Sequence, residues 1–190
     1  MTLPVLLLID VQKGFDDPSW GNRNNMDAES NIELLLSAWR RHERPVIHVR
    51  HGSTEPGSLL RPELPGYAFK ANTQPLVTEK QFSKSVNSAF IGTGLEQYLN
   101  GHGYSALVIV GLTTDHCVST TTRMAANLGF NVTLVSDATA TFDRVGHDGT
   151  FYSAEEMHRV NLASLNGEFC EVRTSRDLLD EIAAGRAFPS

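Results

Sequence analysis

Residues 106–118 read Ala106-Leu107-Val108-Ile109-Val110-Gly111-Leu112-Thr113-Thr114-Asp115-His116-Cys117-Val118. The first five form a continuous apolar run rich in β-branched side chains, which is typical of a strand buried on both faces of a sheet. A glycine and a short polar segment follow, and residues 118–128 then have helical spacing, with Gly129 in the position that commonly ends a helix. The stretch therefore predicts a buried strand, a tight turn and a helix.

The same alternation of apolar runs and helical patterns continues on both sides of this stretch. Further strands are predicted at residues 4–9, 45–49, 76–80, 132–135 and 169–172, with the run at 76–80 the weakest. Helices are predicted around residues 32–39, around 95–99, from the capping box at Ser153 and Glu156 to Gly167, and after Thr174 with Asp177. The pattern predicts an α/β fold, a three-layer Rossmann-like sandwich of about six mostly parallel strands flanked by helices.

Length and composition narrow the class of protein. The 190 residues suffice for a single domain over residues 1–190, and the net charge of −6 argues against a partner that is a nucleic acid. No basic segment precedes the apolar run at the start, so we expect no signal peptide, and no run is long enough to enter a membrane. Two cysteines are too few for a disulfide scaffold, which favours a cytoplasmic protein with free thiols.

Three polar residues follow predicted strands. Asp10 ends the first strand, Lys84 lies just beyond the third, and Cys117 lies just beyond the strand at 106–110. In a parallel α/β sheet, ligands bind outside the carboxyl ends of the strands. These residues, distant in sequence, are therefore predicted to meet at one edge of the sheet.

The chemistry of these residue types suits attack on a carbonyl carbon. A thiolate at Cys117 would be the nucleophile, and we expect Lys84 and the helix N-terminus to lower the pKa of the thiol. Asp10 would carry the proton, while the backbone N–H groups of Thr113 and Cys117 would face the oxyanion. The substrate would be a small molecule.

Aromatic residues and one histidine are candidates for the substrate pocket. Phe15 and Trp20 follow Asp10, His116 adjoins the nucleophile, and Phe142 follows the fifth strand. Trp20 and Phe142 could equally be contacts between subunits, since aromatic residues are enriched in interfaces. The segment 51–73 is too long for a plain connector, and it could cover the pocket or an interface, as could the loop at 137–152.

The chain resembles the isochorismatase-like cysteine hydrolases, a superfamily of nicotinamidases, carbamoylsarcosine and ureidoacrylate amidohydrolases, and isochorismatase. Three stretches carry the resemblance: residues 7–15 from Leu7 to Phe15, residues 80–90 from Lys80 to Phe90, and residues 110–118, the most specific. The resemblance implies that Asp10, Lys84 and Cys117 are a catalytic triad and that a cis peptide joins Leu112 to Thr113. It also implies a homo-oligomer, as a dimer, a tetramer or a larger assembly.

The chain also departs from the superfamily. Nicotinamidases hold a metal with an Asp-x-His motif after the second strand, whereas residues 48–52 here read His48-Val49-Arg50-His51-Gly52. We therefore expect no metal, no other cofactor, and no nicotinamidase activity. The presence of Cys117 favours hydrolysis of a C–N bond in an amide, ureido or carbamoyl group. Two alternatives remain, namely isochorismate-type vinyl-ether hydrolysis with Asp10 as general acid, and a non-catalytic ligand-binding or scaffold oligomer.

Overall fold

The structure is a computed structural model that describes residues 4–185. Its main sheet contains six parallel strands in the order β3-β2-β1-β4-β5-β8. The strands are β1 (Val5–Ile9), β2 (Val46–His51), β3 (Lys80–Lys84), β4 (Ala106–Leu112), β5 (Asn131–Ala140) and β8 (Glu171–Arg173). A separate antiparallel hairpin joins β6 (Arg144–Val145) to β7 (Phe151–Tyr152). The predicted α/β fold is confirmed.

Helices cover both faces of the sheet, as the apolar strands require. They are α1 (Ala28–Arg41), α2 (Leu95–Gly101), α3 (Ser119–Asn127), α4 (Ala154–Leu165) and α5 (Ser175–Ala183). Alternate residues of β1 point to opposite faces, so Leu7 packs with α2, α3 and α4, whereas Leu8 packs with α1 and α5. Burial of β1 on both faces explains its unbroken apolar sequence.

The third strand differs from the prediction. It runs over Lys80–Lys84, whereas the sequence predicted residues 76–80. The segment before it is a turn, closed by a hydrogen bond from the N–H of Glu79 to the carbonyl of Leu76 (3.0 Å). Because β3 is an edge strand with mostly exposed side chains, it lacks the apolar run that identifies the central strands. Lys84 is consequently the last residue of β3 rather than a residue beyond it.

The predicted boundaries of other elements also differ from those in the structure. The predicted helix at 118–128 is α3 at Ser119–Asn127, preceded by a π-helical turn over Thr114–Val118 that contains Cys117. The strand predicted at 132–135 extends to Ala140, because its second half pairs again with β4 after a shift in register. The last strand lies at Glu171–Arg173 instead of 169–172. The hairpin of β6 and β7 was not predicted, since each strand has only two residues.

Gly111 lets β1 and β4 run close together where both strands end. Its φ is 124°, and a β-carbon at this position would lie 1.9 Å from the carbonyl oxygen of Ile9. Asp10 follows Ile9 directly, and Gly111 begins the turn to Cys117, so this contact sets the spacing of two candidate site residues. No side chain larger than hydrogen fits there without moving one strand.

We expect Gly111→Ala to destabilise the protein by about 3–5 kcal/mol, because it adds a steric clash to an unfavourable backbone conformation. Gly129→Ala is the matched control, since Gly129 also has a positive φ (88°) but has open space around its Cα. That control should cost about 1–2 kcal/mol. Urea unfolding of the two variants measures the difference, and equal losses would show that the approach of β1 to β4 is not limiting.

Within residues 4–185, no helix has the length and apolar character needed to span a bilayer.

Candidate active site

Asp10, Lys84 and Cys117 meet at the carboxyl end of the sheet, between β1 and β4, where the strand order changes direction. The Lys84 ammonium donates a hydrogen bond to Oδ2 of Asp10 (2.7 Å) and another to Sγ of Cys117 (3.2 Å). All three residues are buried, with at most 8% of their surface exposed. We refer to these three residues as the buried cluster.

Local backbone geometry brings the members of the buried cluster together. Asp10 adopts a left-handed conformation (φ 53°), with its N–H bonded to the carbonyl of Val49 on β2 (2.8 Å). Lys84 is held by its pairing with His51, the last residue of β2. Each charged side chain is thus anchored to a strand end, which favours a fixed geometry.

Cys117 lies in the π-helical turn after β4. The carbonyl of Thr113 accepts hydrogen bonds from the N–H groups of His116 and Val118 (both 3.2 Å), which closes the turn. The peptide bond between Leu112 and Thr113 is cis, as the resemblance implied. The sequence suggested that Cys117 lies in the first turn of a regular α-helix. The structure places it in the π-helical turn instead.

The expected lowering of the Cys117 pKa is wrong for the ground state of the site. Burial, and next the Asp10 carboxylate, raise the pKa of the Cys117 thiol, and the Lys84 ammonium opposes them. Burial also raises the pKa of Asp10, against the attraction of Lys84. One ammonium neutralises one anion, so the buried cluster holds either a carboxylate with a thiol or a carboxylic acid with a thiolate. A single proton is shared between Asp10 and Cys117, and its transfer leaves the net charge unchanged.

His51 is a further member of the site, which the sequence analysis named only within the stretch 48–52 and as the start of a long loop. Its Nδ1 lies 3.1 Å from Nζ of Lys84. Because an ammonium has no acceptor, Nδ1 must accept this hydrogen bond, and the ring proton then lies on Nε2. Burial, and next the charge of Lys84, lower the pKa of His51, which keeps the ring neutral. The rule that found Asp10 at the end of β1 would have found His51 at the end of β2.

Asp10, His51 and Cys117 also form a group of potential metal ligands, with one donor atom of each within 4.8 Å of the others. All three side chains contact the Lys84 ammonium, at 2.7, 3.1 and 3.2 Å. The chain's own cation already occupies the centre of this donor set. A metal ion would have to displace Lys84, so the geometry fits the ammonium rather than a resident metal.

A pocket of about 150 Å³ opens above Cys117. Three of the predicted substrate residues, Phe15, Trp20 and His116, line it. Ser58 and Leu60 contribute from the long segment 51–73, so part of that segment covers the pocket. A larger cavity of about 440 Å³ lies at the amino end of the strands and contains none of these side chains.

Phe142 differs from the prediction, because it does not line this pocket. Its ring is 3% exposed and stacks on Trp20 (5.4 Å between centroids) and on Phe15 (6.3 Å). The aromatic wall is thus two rings deep, with Phe142 behind the two that face the pocket. Phe142 therefore supports the position of the wall and lies outside the pocket above Cys117.

His48, the residue considered above for a metal motif, is buried on β2 and points away from the site. Its Nε2 lies 2.8 Å from Oε2 of Glu79. Glu79 also accepts hydrogen bonds from Arg40, at 2.7 and 2.9 Å. Glu79 therefore ties the turn before β3 to α1 through Arg40 and to β2 through His48, and His48 has a structural role.

Comparison with known proteins identifies the family of this chain. A family model, the isochorismatase domain, matches residues 4–177. The chain belongs to the isochorismatase family. The isochorismatase family protein YrdC from Bacillus subtilis is 46% identical over 176 residues, which cover 93% of this chain and 94% of the relative. A crystal structure from Chromobacterium violaceum, assigned to the isochorismatase family of hydrolases, superposes with a TM-score of 0.93 at 48% identity, covering 96% of this chain and 94% of the other.

Relatives with named activities are hydrolases as well. Nicotinamidase 3 from Arabidopsis thaliana is 29% identical over 161 residues, which cover 78% of each chain. Streptothricin hydrolase from Streptomyces noursei is 30% identical over 138 residues, which cover 73% of this chain and 50% of the relative. The protein is therefore an isochorismatase-family hydrolase, and its substrate has to be inferred from its own residues.

Proposed function

We propose that this isochorismatase-family hydrolase cleaves a C–N bond of a small amide, ureido or carbamoyl compound through a covalent acyl-enzyme on Cys117. The observation that carries the proposal is the position of Lys84 Nζ, hydrogen-bonded to both Asp10 Oδ2 and Cys117 Sγ in a buried site. A nucleophile, a proton carrier and a fixed positive charge are the groups that acyl transfer requires.

The first half of the reaction forms the acyl-enzyme. As Sγ of Cys117 attacks the carbonyl carbon, the thiol proton moves to Asp10, and Lys84 stabilises whichever of the two is the anion. The N–H groups of Thr113 and Cys117 bind the oxyanion of the tetrahedral intermediate. When the intermediate collapses, Asp10 returns the proton to the leaving nitrogen, the C–N bond breaks, and ammonia or an amine departs.

The second half of the reaction releases the acid. Asp10 takes a proton from water as the water oxygen attacks the thioester carbon. The new tetrahedral intermediate expels Cys117 as a thiolate, and Asp10 returns the proton to Sγ. The site ends in its starting protonation state, and no cofactor is needed.

The proposal also covers the cellular location and the oligomeric state of the protein. Both Cys117 and Cys170 are free thiols, which is typical of a reducing compartment, and we propose a cytoplasmic location. We also propose a homo-oligomer, on the resemblance described above.

Ammonia release from a panel of amides, ureido acids and carbamoyl compounds tests the function. We expect at least one class to be hydrolysed by the wild type and by Cys170→Ala, and none by Cys117→Ser. Cys170 is the matched control because it is the other buried free cysteine. Hydrolysis that survives in pure Cys117→Ser, or no hydrolysis by folded wild type, would contradict the proposal.

We expect His51 to position Lys84 rather than contact the reacting atoms. His51→Leu removes the acceptor from Nζ and should lower kcat/KM about 10- to 100-fold, because a hydrogen bond to a charged group is lost. His51→Asn should recover most of the activity, since its Oδ1 can replace Nδ1. The lowered pKa of His51 means that the ring loses its acceptor role only at acidic pH, by protonation.

The pH profile separates this role from a purely structural one. Wild-type activity should fall as the pH drops through the lowered pKa of His51, and the fall should be less steep in His51→Asn. An Asn variant as impaired as the Leu variant, with an unchanged acid limb, would refute the positioning role.

A further inference from the structure

Aromatic, aliphatic and small polar side chains, together with two histidines, line the pocket above Cys117. Its lining residues are Phe15, Trp20, His51, Ser58, Leu60, Asn87, Thr113, His116 and Cys117, and none is Lys, Arg, Asp or Glu. We propose that the substrate is a compact, uncharged carboxamide and that the pocket excludes acyl groups bearing a carboxylate. This inference rests on the proposed function and specifies its substrate class.

The size of the pocket sets the first limit. Its volume of about 150 Å³ is below the ~300–1,000 Å³ typical of sites for drug-sized ligands. The space therefore suits a substrate smaller than a drug-sized ligand. Phe15 and Trp20 form one side of it, with their ring centroids 5.1 Å apart, so a short aliphatic chain or a single flat ring fits best.

Two cations behind the pocket walls, Lys84 and Arg144, are already paired with carboxylates. Lys84 contacts the Asp10 carboxylate at 2.7 Å, and because this pair is neutral overall, it offers no net positive charge to an anionic acyl group. Arg144, behind the turn that carries His116, is bound to Oδ2 of Asp115 at 2.9 Å. Oδ2 of Asp115 also lies 3.5 Å from Nε2 of His116. A carboxylate entering the pocket would lose its hydration without gaining a cation, which is strongly unfavourable.

Asn87 supplies the polar contact that a neutral amide needs. Its Oδ1 lies 3.8 Å from Sγ of Cys117 and faces the space where a scissile group would sit. The Asn87 carboxamide can accept a hydrogen bond from an amide N–H through Oδ1 and can donate one to a carbonyl oxygen through its NH₂ group. Asn87 thus suits a neutral amide with an N–H donor on the leaving nitrogen, and the exclusion of carboxylates rests on the other walls.

Alkylation of Cys117 tests this inference without relying on turnover. Iodoacetamide and iodoacetate have nearly the same size and react in the same way, because Sγ forms a bond to the CH₂ carbon while iodide leaves. The rate ratio of the two reagents on wild-type protein is divided by their ratio on N-acetylcysteine, and Cys117→Ala corrects for reaction elsewhere. We expect a preference for iodoacetamide of at least about tenfold beyond that of the free thiol.

A variant pair shows whether charge is the cause. Ser58→Lys places a cation at the wall and should reduce the preference for iodoacetamide several-fold, whereas the neutral control Ser58→Gln should keep it. A normalised ratio near one would overturn the inference, since the pocket would then ignore charge.

Turnover of a matched substrate pair separates the inference from the proposed function. Butyramide and succinamate differ mainly by a terminal carboxylate. Hydrolysis of both at equal rates, dependent on Cys117, would refute the substrate class and leave the cysteine mechanism intact. A strong alkylation preference without hydrolysis of any amide would refute the mechanism and leave the pocket's selectivity established.

Discussion

Asp10→Asn is expected to lower kcat for amide hydrolysis by about 10³–10⁴, close to the upper range for loss of a general acid–base group. The Asn side chain has the same shape and can still accept the hydrogen bond from Lys84, and a Cys117 thiolate can balance the Lys84 ammonium, so the buried cluster should keep its geometry. The amide cannot deliver a proton to the leaving nitrogen or take one from the hydrolytic water. The loss should therefore appear in kcat and not in KM.

Comparing Cys117→Ala with Asp10→Asn distinguishes amide hydrolysis from vinyl-ether hydrolysis. If the protein cleaves amides, both variants lose activity on the same substrate. If it cleaves a vinyl ether by protonation, Cys117→Ala keeps its activity and only Asp10→Asn is inactive. Circular dichroism and thermal unfolding confirm that each variant is folded, and wild-type turnover by Asp10→Asn would refute both mechanisms.

The sequence was sufficient to predict where the buried cluster lies. β1 and β4 are central strands buried on both faces, so they produce unbroken apolar runs whose ends are easily read. Asp10 follows the end of one run, and Cys117 follows the other after a short turn. The rule that ligands bind at the carboxyl ends of parallel strands then brings the two together without any knowledge of distances.

What the sequence could not predict depends on packing around the strand ends. The raised pKa of Cys117 comes first from burial, which sequence spacing does not report, and the nearby Lys84 suggested the opposite direction. The predicted third strand, at 76–80, begins four residues before the observed β3 at Lys80–Lys84, because an edge strand has little apolar character to mark its position. Phe142 was assigned to the pocket because aromatic residues are common there, although its ring lies behind Trp20.

Lys84→Met is expected to destabilise the protein at neutral pH by about 3–5 kcal/mol, because it leaves a buried carboxylate without its partner. The Lys84 and Asp10 side chains are fully buried, so water cannot replace the lost ammonium. Activity should fall by several decades as well, since neither the carboxylate nor the thiolate then has a counter-charge. Chemical denaturation measures the stability, and ammonia release measures the activity.

The pH dependence of this loss identifies its cause. Without Lys84, burial is opposed only by the smaller effects of Cys117 and His51, so the pKa of Asp10 in the folded state must rise further above its usual value. A carboxyl group whose pKa is raised by folding destabilises the protein increasingly as the pH rises from its unfolded pKa to its folded pKa. The loss of stability in Lys84→Met should therefore be smallest near pH 4 and grow toward pH 7. The double variant Asp10→Asn/Lys84→Met should recover most of the stability at neutral pH without recovering activity. A defect that is constant with pH, or a double variant no more stable than Lys84→Met, would show that Lys84 contributes through packing and not through its charge.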